Sequence, residues 1–427
     1  MINSRAIGLI LWGLLIPTSL LYSQNEFLGF DSPNKIFSDQ FKTLQIKGND
    51  NPTSAPIIEL NTGNFAQIRF DQLGQGARNL GYRVVHCNHN WEKSDLLSTE
   101  FLDGFDENTI TDYQYSQNTK VQYVHFTFRF PNEDAQPLIG GNYLFEVFDF
   151  DEPDSVLLQA GMLILNPKVG ISARIVGASR VELRESHHEL YVNVNSASLG
   201  AILQPDDYKV IVLQNWRWDN AQKLGTPRFF DQNNLKYEQP GSIVFQAGNE
   251  YRQYDLRNIN TSGTGIYKTD ITGDTNKAYG FVELARRNTA YTFHDDLNGV
   301  SVTASDFGFD PYLQADYLWF EYAVKSEIPY GAGSIELTGA DIESLPAEQK
   351  ELKYFPKQGL YSGRAFLKMG FYNWQYGARR GKDQPKNLAF LEGSYFQTSN
   401  YYQVLVYYKG FSADFDELVG FFTLTSQ

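Results

Sequence analysis

With 427 residues, the chain has room for two or three domains and several hydrophobic cores. Aromatic residues make up 15% and charged residues 20%, which excludes a disordered chain, while 50 acidic against 36 basic residues, a net charge of −14, exclude a general affinity for nucleic-acid phosphates or anionic lipid. One cysteine, Cys87, excludes an intramolecular disulfide and a cysteine-rich zinc site.

The chain opens on Arg5 followed by a mostly apolar run from Ala6 to Leu21. This pattern predicts a secretory signal peptide over 1–23, cut after Ser23. The rival is an uncleaved anchor, but the run is short for a spanning helix of about 20 residues and Pro17 interrupts it. The only cysteine lies far from the cleavage point, so a lipid-bearing cysteine, and with it a lipoprotein, is not expected.

Beyond the leader, alternation with period two dominates. Ile68 and Phe70 alternate with Gln67, Arg69 and Asp71; Val124, Phe126, Phe128 and Phe130 alternate with His125, Thr127 and Arg129. Tyr143, Phe145 and Val147 continue the theme, as do Leu190, Val192 and Val194; Tyr208 to Leu213 and Tyr401 to Tyr408 read as buried strands. Glycine and proline punctuate the runs, as at Pro240-Gly241 and Asn298-Gly299. Helical signal is thin: a short helix at Ser344 to Lys353, capped by Ser344, and a turn or two within Asp95 to Phe105. The spacing predicts an all-β chain of two or three tandem antiparallel, immunoglobulin-like β-sandwiches. An outer-membrane barrel is the rival, disfavoured because many strands are short and apolar on both faces. Boundaries are expected near Asn166-Pro167-Lys168 and within Thr261 to Gly273, giving domains at 24–167, 168–265 and 266–427.

Candidate chemistry is sparse. His86-Cys87-Asn88-His89 offers soft metal ligands, but His86 and Cys87 are neighbours that point to opposite faces of a strand, and a fourth ligand is missing. A structural thiol at Cys87 is the better reading than a nucleophile, because no catalytic signature flanks it. Asp149, Asp151 and Asp154 form an acidic group that lacks the glycine and terminal glutamate of a calcium loop. No G-x-S-x-G elbow, H-E-x-x-H or P-loop occurs, and no pair of carboxylates stands out for glycoside hydrolysis. Trp216-Arg217-Trp218 is expected to place both tryptophans on one strand face, where they would stack on sugars, anchor a partner or fill a core; Tyr372, Trp374 and Tyr376 repeat the spacing.

Longer blocks carry more. His86-Cys87-Asn88, Trp91, Ser94, Glu100 to Phe105, Asp112-Tyr113, Tyr123 to Asn132 and Gly141-Asn142-Tyr143 resemble the N-terminal region of the type IX secretion system plug proteins of Bacteroidota. Gln214 to Asp219, Phe245, Ala247 to Arg252, Asp296 to Gly299, Glu392 to Phe396, Thr398, Asn400-Tyr401, Val406 to Tyr408, Asp416 and Leu418 to Gly420 are similar to the same family in the same order. Mild departures are Tyr251 and Tyr254, where the family often has Phe, and Lys409, where it has Arg. The resemblance implies a non-catalytic periplasmic subunit without cofactor or metal. Its implied partner is the very large SprA-type outer-membrane β-barrel translocon, whose periplasmic mouth it would close when idle. It also implies no nucleic-acid partner, no membrane insertion and no catalytic residues to carry over. The last third is similar, more weakly, to glucan-binding sandwiches from Gly333 to Gly339 and Phe371 to Tyr376, a likeness of fold that does not carry function. A glycan-binding or glycoside-processing accessory is the alternative reading.

Overall fold

Three large hydrophobic cores organise the chain, each enclosed by mainly antiparallel strands in a computed structural model. The structure describes residues 25–426 apart from 31, 309, 382, 383 and 412; the expected signal peptide at 1–23 lies outside the described residues. Strands hold 48% of the chain and helices 5%, so the fold is all-β.

The first sandwich packs one sheet, in the order Phe41–Gly48, Ala66–Leu73, Tyr123–Phe130, Tyr113–Tyr115, against a second built around Glu152–Leu165, Gly141–Asp149 and Leu80–Cys87. The alternating residues do what their period requires. Ile68, Phe70, Phe126 and Phe130 on one sheet meet Tyr82, Tyr143 and Phe145 on the other. Full burial of each such side chain contributes about 1.5–3 kcal/mol. Tyr82 stacks on Phe128 with ring centres 4.2 Å apart, which fixes how the two layers register.

The second sandwich takes its strands from both ends of the chain. One sheet runs Glu26–Phe27, Arg217–Lys223, Tyr208–Gln214, Tyr401–Tyr408, Glu417–Thr425. It packs on a sheet of Gly170–Gly177, His187–Asn195, Asn234–Tyr237 and Phe229–Phe230, with Val244–Gln246 beside His187–Asn195. A cut at 265/266 with everything later in a third domain therefore does not follow the sheets. The strands Tyr401–Tyr408 and Glu417–Thr425 fall within 266–427 in sequence but complete the sheet of 208–223 in space. The physical reason is closure: without Tyr401–Tyr408, the buried edge of Tyr208–Gln214 would have no ladder partner.

The third sandwich is thus an insertion between Val244–Gln246 and Tyr401–Tyr408. Its nine-stranded sheet includes Arg252–Asp255, Gly370–Arg379, Ser334–Thr338, Glu351–Phe355, Leu360–Lys368, Tyr317–Lys325 and Asn276–Leu284. It rolls around Trp374, which is fully buried and stacks on Tyr254 at 4.2 Å. The expected helix near Ser344 is a single turn, Ala347–Lys350, whose N-cap is Pro346 rather than Ser344. It gives way at once to the strand Glu351–Phe355, because the sheet claims those residues. The turn expected within Asp95 to Phe105 is Ser98–Phe101. No helix among the described residues is long and apolar enough to cross a membrane.

Candidate functional site: buried junctions between the sandwiches

The histidine, cysteine and aspartate groups singled out from sequence do not gather into one site. His86 is 1% exposed and shares a hydrogen bond of 2.9 Å with Ser94 Oγ; burial pulls its ring down to about 4. Gly141, at φ +152°, lies against His86 Nε2, where a Cβ would collide with the ring. Cys87 points the other way, into Val85, Leu144 and Trp91, and burial pushes its thiol up to about 12. His89 leaves the pair to meet Asp416 across the boundary with the second sandwich, 2.6 Å from Nδ1 to Oδ2. Asp149 is held by Arg78 at 2.5 Å and accepts the Asp151 backbone N–H at 2.9 Å; Asp154 is exposed. Among the described residues, no group of three or more His, Cys, Asp or Glu side chains is placed to hold a metal ion.

The tryptophan expectation needs correcting. Asn215 and Trp216 form a two-residue hairpin turn with φ of 53° and 57°, so Trp216 is in the turn and not on a strand face with Trp218. A turn of this hand matches the twist of the flanking strands and requires positive φ at both positions. Trp218 is 5% exposed, stacks on Phe30 at 5.3 Å and meets Trp91 edge-on at 5.4 Å. With Leu163, Ile211, Leu405 and Leu418 it fills the seam between the first and second sandwiches. Tyr372, Trp374 and Tyr376 are buried in the third core, so neither aromatic set forms a sugar platform.

What the structure does bring together is a set of buried charges at the junctions. Between the first and third sandwiches, the Lys368 ammonium lies 2.6 Å from Asp71 Oδ2 and donates to the Tyr312 carbonyl at 2.6 Å. Tyr317 donates its hydroxyl proton to Asp71 at 2.7 Å, and His125 Nδ1 sits 2.6 Å from the other carboxylate oxygen. Tyr123 offers its ring face to the Lys368 ammonium at 4.1 Å. Burial alone would raise the Asp71 carboxyl; the charge of Lys368 and the hydrogen bond with His125 outweigh it and hold the group below its ordinary value. Nearby, Asp316 receives the Lys120 and Val121 backbone N–H groups at 2.8 and 3.1 Å, and Lys47 pairs with Asp341 at 3.1 Å.

Two segments cross between the second and third sandwiches, and they are tied together. Asn249 donates to the Glu392 carbonyl at 2.8 Å, Thr398 to the Gly248 carbonyl at 2.8 Å and Asn400 to the Ala247 carbonyl at 2.8 Å. Glu392 is fully buried between Arg252 and Arg286, at 2.9 and 2.7 Å. Burial would raise its carboxyl, but the two guanidinium groups draw it down to about 2. Arg217 grips Asp219 through two bonds of 3.0 and 2.7 Å, and the same carboxylate accepts the Lys386 backbone N–H at 2.9 Å. Lys386 then reaches Glu343 at 2.5 Å. Between the first and second sandwiches, Tyr407 donates to Asn142 at 2.7 Å beside the His89–Asp416 pair.

These junctions explain the blocks read from sequence. Ala247 to Arg252, Glu392 to Asn400 and Gln214 to Asp219 are remote in the chain yet meet at one boundary; His86 to Asn88 and Asp416 meet at another. Asp71, His125 and Lys368 were missed, because on an isolated strand they read as a polar, solvent-facing side. The available signal was that His125 and Asp71 fall directly opposite each other in the antiparallel register. Buried ion pairs of this kind add little net stability over apolar packing, but they penalise any arrangement that separates the partners.

Residues 41–166 match the family described as type 9 secretion system plug protein 1st domain. The whole chain is also similar to the crystal structure of a hypothetical protein from Parabacteroides merdae ATCC 43184, with 30% identity, a TM-score of 0.88, and coverage of 94% of this chain and 100% of that one. No curated protein matches the chain. The family match ends beside the boundary at 167, and the strands it spans form the first sandwich, which the junction residues fasten to the rest. Residues 41–166 of the chain are a first domain of the type 9 secretion system plug protein family.

Proposed function

We propose that this protein is a non-catalytic plug subunit that closes the periplasmic mouth of the outer-membrane type IX translocon when no cargo fills it. The match of residues 41–166 to the plug family carries this reading. The junction chemistry supports it: a stopper must keep its outline under load, and the buried pairs Asp71–Lys368 and Glu392–Arg252, with the Asp219 carboxylate on the Lys386 backbone N–H, resist hinge motion between the sandwiches. In this reading the protein is exported, stays on the inner side of the outer membrane without inserting, and takes no cofactor. The partner is the giant SprA-type barrel, met through a broad surface in which a few anchors dominate.

Gene deletion provides the test. Loss of the plug should let normally excluded molecules leak across the outer membrane while the translocon is present, and removal of the translocon should restore the barrier. A leak of equal size with and without the translocon sinks the proposal.

A further inference from the structure

A cleft of about 340 Å³ opens where the second and third sandwiches meet, a size that suits a ligand of a few residues. Its charge is unlike that of the rest of the chain. Overall the protein carries 50 acidic and 36 basic residues, yet the described residues lining this cleft include no Asp or Glu. They do include Arg217, Lys386 and Arg380. The first two are committed to Asp219 and Glu343. Arg380 is exposed, and among the described residues no hydrogen bond or ion pair engages its guanidinium. It belongs to the stretch Arg379-Arg380-Gly381-Lys382-Asp383-Gln384-Pro385-Lys386, which has four basic residues and one acidic residue.

The remaining polar lining is mostly amide. Asn220 is 8% exposed; its Nδ2 donates to Gln214 at 3.0 Å, while its Oδ1 has no partner. A buried carbonyl without a partner is unfavourable, so a small rotation of the Asn220 side chain toward the cleft would let this atom accept an N–H from something that enters. Gln246 and Gln384 also line the cleft, and among the described residues their side-chain amides make no hydrogen bond. Carboxamides offer a donor and an acceptor together, which is the pattern of a peptide backbone. Of the rings in the lining, Tyr330 packs on Phe390 at 4.9 Å and Phe245 on Tyr402 at 5.4 Å, while the exposed Phe27 offers one apolar face for a peptide side chain, short of the polar-flanked stacking platform a sugar calls for.

We propose that this cleft binds a short extended peptide segment bearing a carboxylate, with Arg380 pairing the acid and Asn220, Gln246 and Gln384 meeting the peptide N–H and C=O groups. This goes beyond the plug reading and does not depend on it.

The test is calorimetric titration of the full mature protein with blocked alanine tetrapeptides carrying two, one or no aspartates, and with a uronic-acid trisaccharide. The aspartate peptides should bind, the neutral peptide about tenfold or more weaker, and the charged arm should weaken with salt. Arg380→Glu, at an exposed position, should fold normally and lose about tenfold or more in affinity for the acidic peptide. Failure of every peptide to bind at millimolar concentration, equal binding of acidic and neutral peptides, tighter binding of the uronate, or an unchanged affinity in R380E would each overturn the proposal. A leak test of the same variant reads the plug function separately.

Discussion

Breaking the Asp71–Lys368 pair is the perturbation whose consequence follows most directly from the structure. Both side chains are 1% exposed, and they join strands of different sandwiches. Removing one partner of a buried pair costs about 3–5 kcal/mol, because the other charge stays buried without compensation. Lys368→Met leaves Asp71 with the Tyr317 hydroxyl and the His125 ring, so its cost should fall near the lower end, about 3 kcal/mol. Asp71→Leu strips a partner from Lys368, Tyr317 and His125 together and should cost about 5 kcal/mol. With both substitutions, neither charge remains, and the double variant should be at least ~2 kcal/mol more stable than the sum of the singles predicts. Urea denaturation gives the energies. Hydrogen exchange over Ala66–Leu73 and Leu360–Lys368 shows whether the loss is centred on this junction. Single variants within about 1 kcal/mol of the parent, or strictly additive effects, would show that the pair does not hold the two sandwiches together.

Other expectations concern single groups. His86 titrates near 4 when folded against 6.5 for a free ring, so the unfolded chain binds the extra proton first. Stability should therefore be full above about pH 6.5 and fall as pH drops toward 4, by roughly 3 kcal/mol from this ring, a loss that a His86→Gln comparison by denaturation at pH 7 and pH 4.5 should reveal as a reduced pH slope. Cys87, fully buried with its thiol near 12, should resist thiol reagents in the native protein and react at once in denaturant; rapid native labelling would contradict its placement. Trp218→Ala removes the ring that joins Phe30 and Trp91 and should cost about 3–5 kcal/mol in urea denaturation, whereas a cost below about 1 kcal/mol would mean the seam is not packed as described.

Period-two alternation located the strands at Tyr123–Phe130 and His187–Asn195, because burial of one face imposes that spacing, and a continuous β-branched and aromatic run located Tyr401–Tyr408, which is buried on both faces. The domain that owned Tyr401–Tyr408 was not legible, since a strand's pattern specifies a buried environment but not which strand completes its ladder. The same limit hid the junctions. Asp71, His125 and Arg69 have the composition of a wetted face, and only tertiary structure lays Tyr312 over them, 5.3 Å from His125 and 4.6 Å from the Arg69 guanidinium. Trp216 was misplaced for a local reason: Asn-Trp is an uncommon pair for a turn with two positive φ values, and nothing in the alternation marked it. The ordered blocks did carry tertiary information. Asn249, Glu392 and Asn400 appear in them, and they form the straps that hold the third sandwich on the second.

The most direct test of the plug reading is conductance through the purified translocon in a planar bilayer. Plug-free translocon should show a large, steady conductance, and adding this protein to the periplasmic side should close it, while addition to the opposite side should leave it open. A conductance unchanged by the protein on either side would contradict the account.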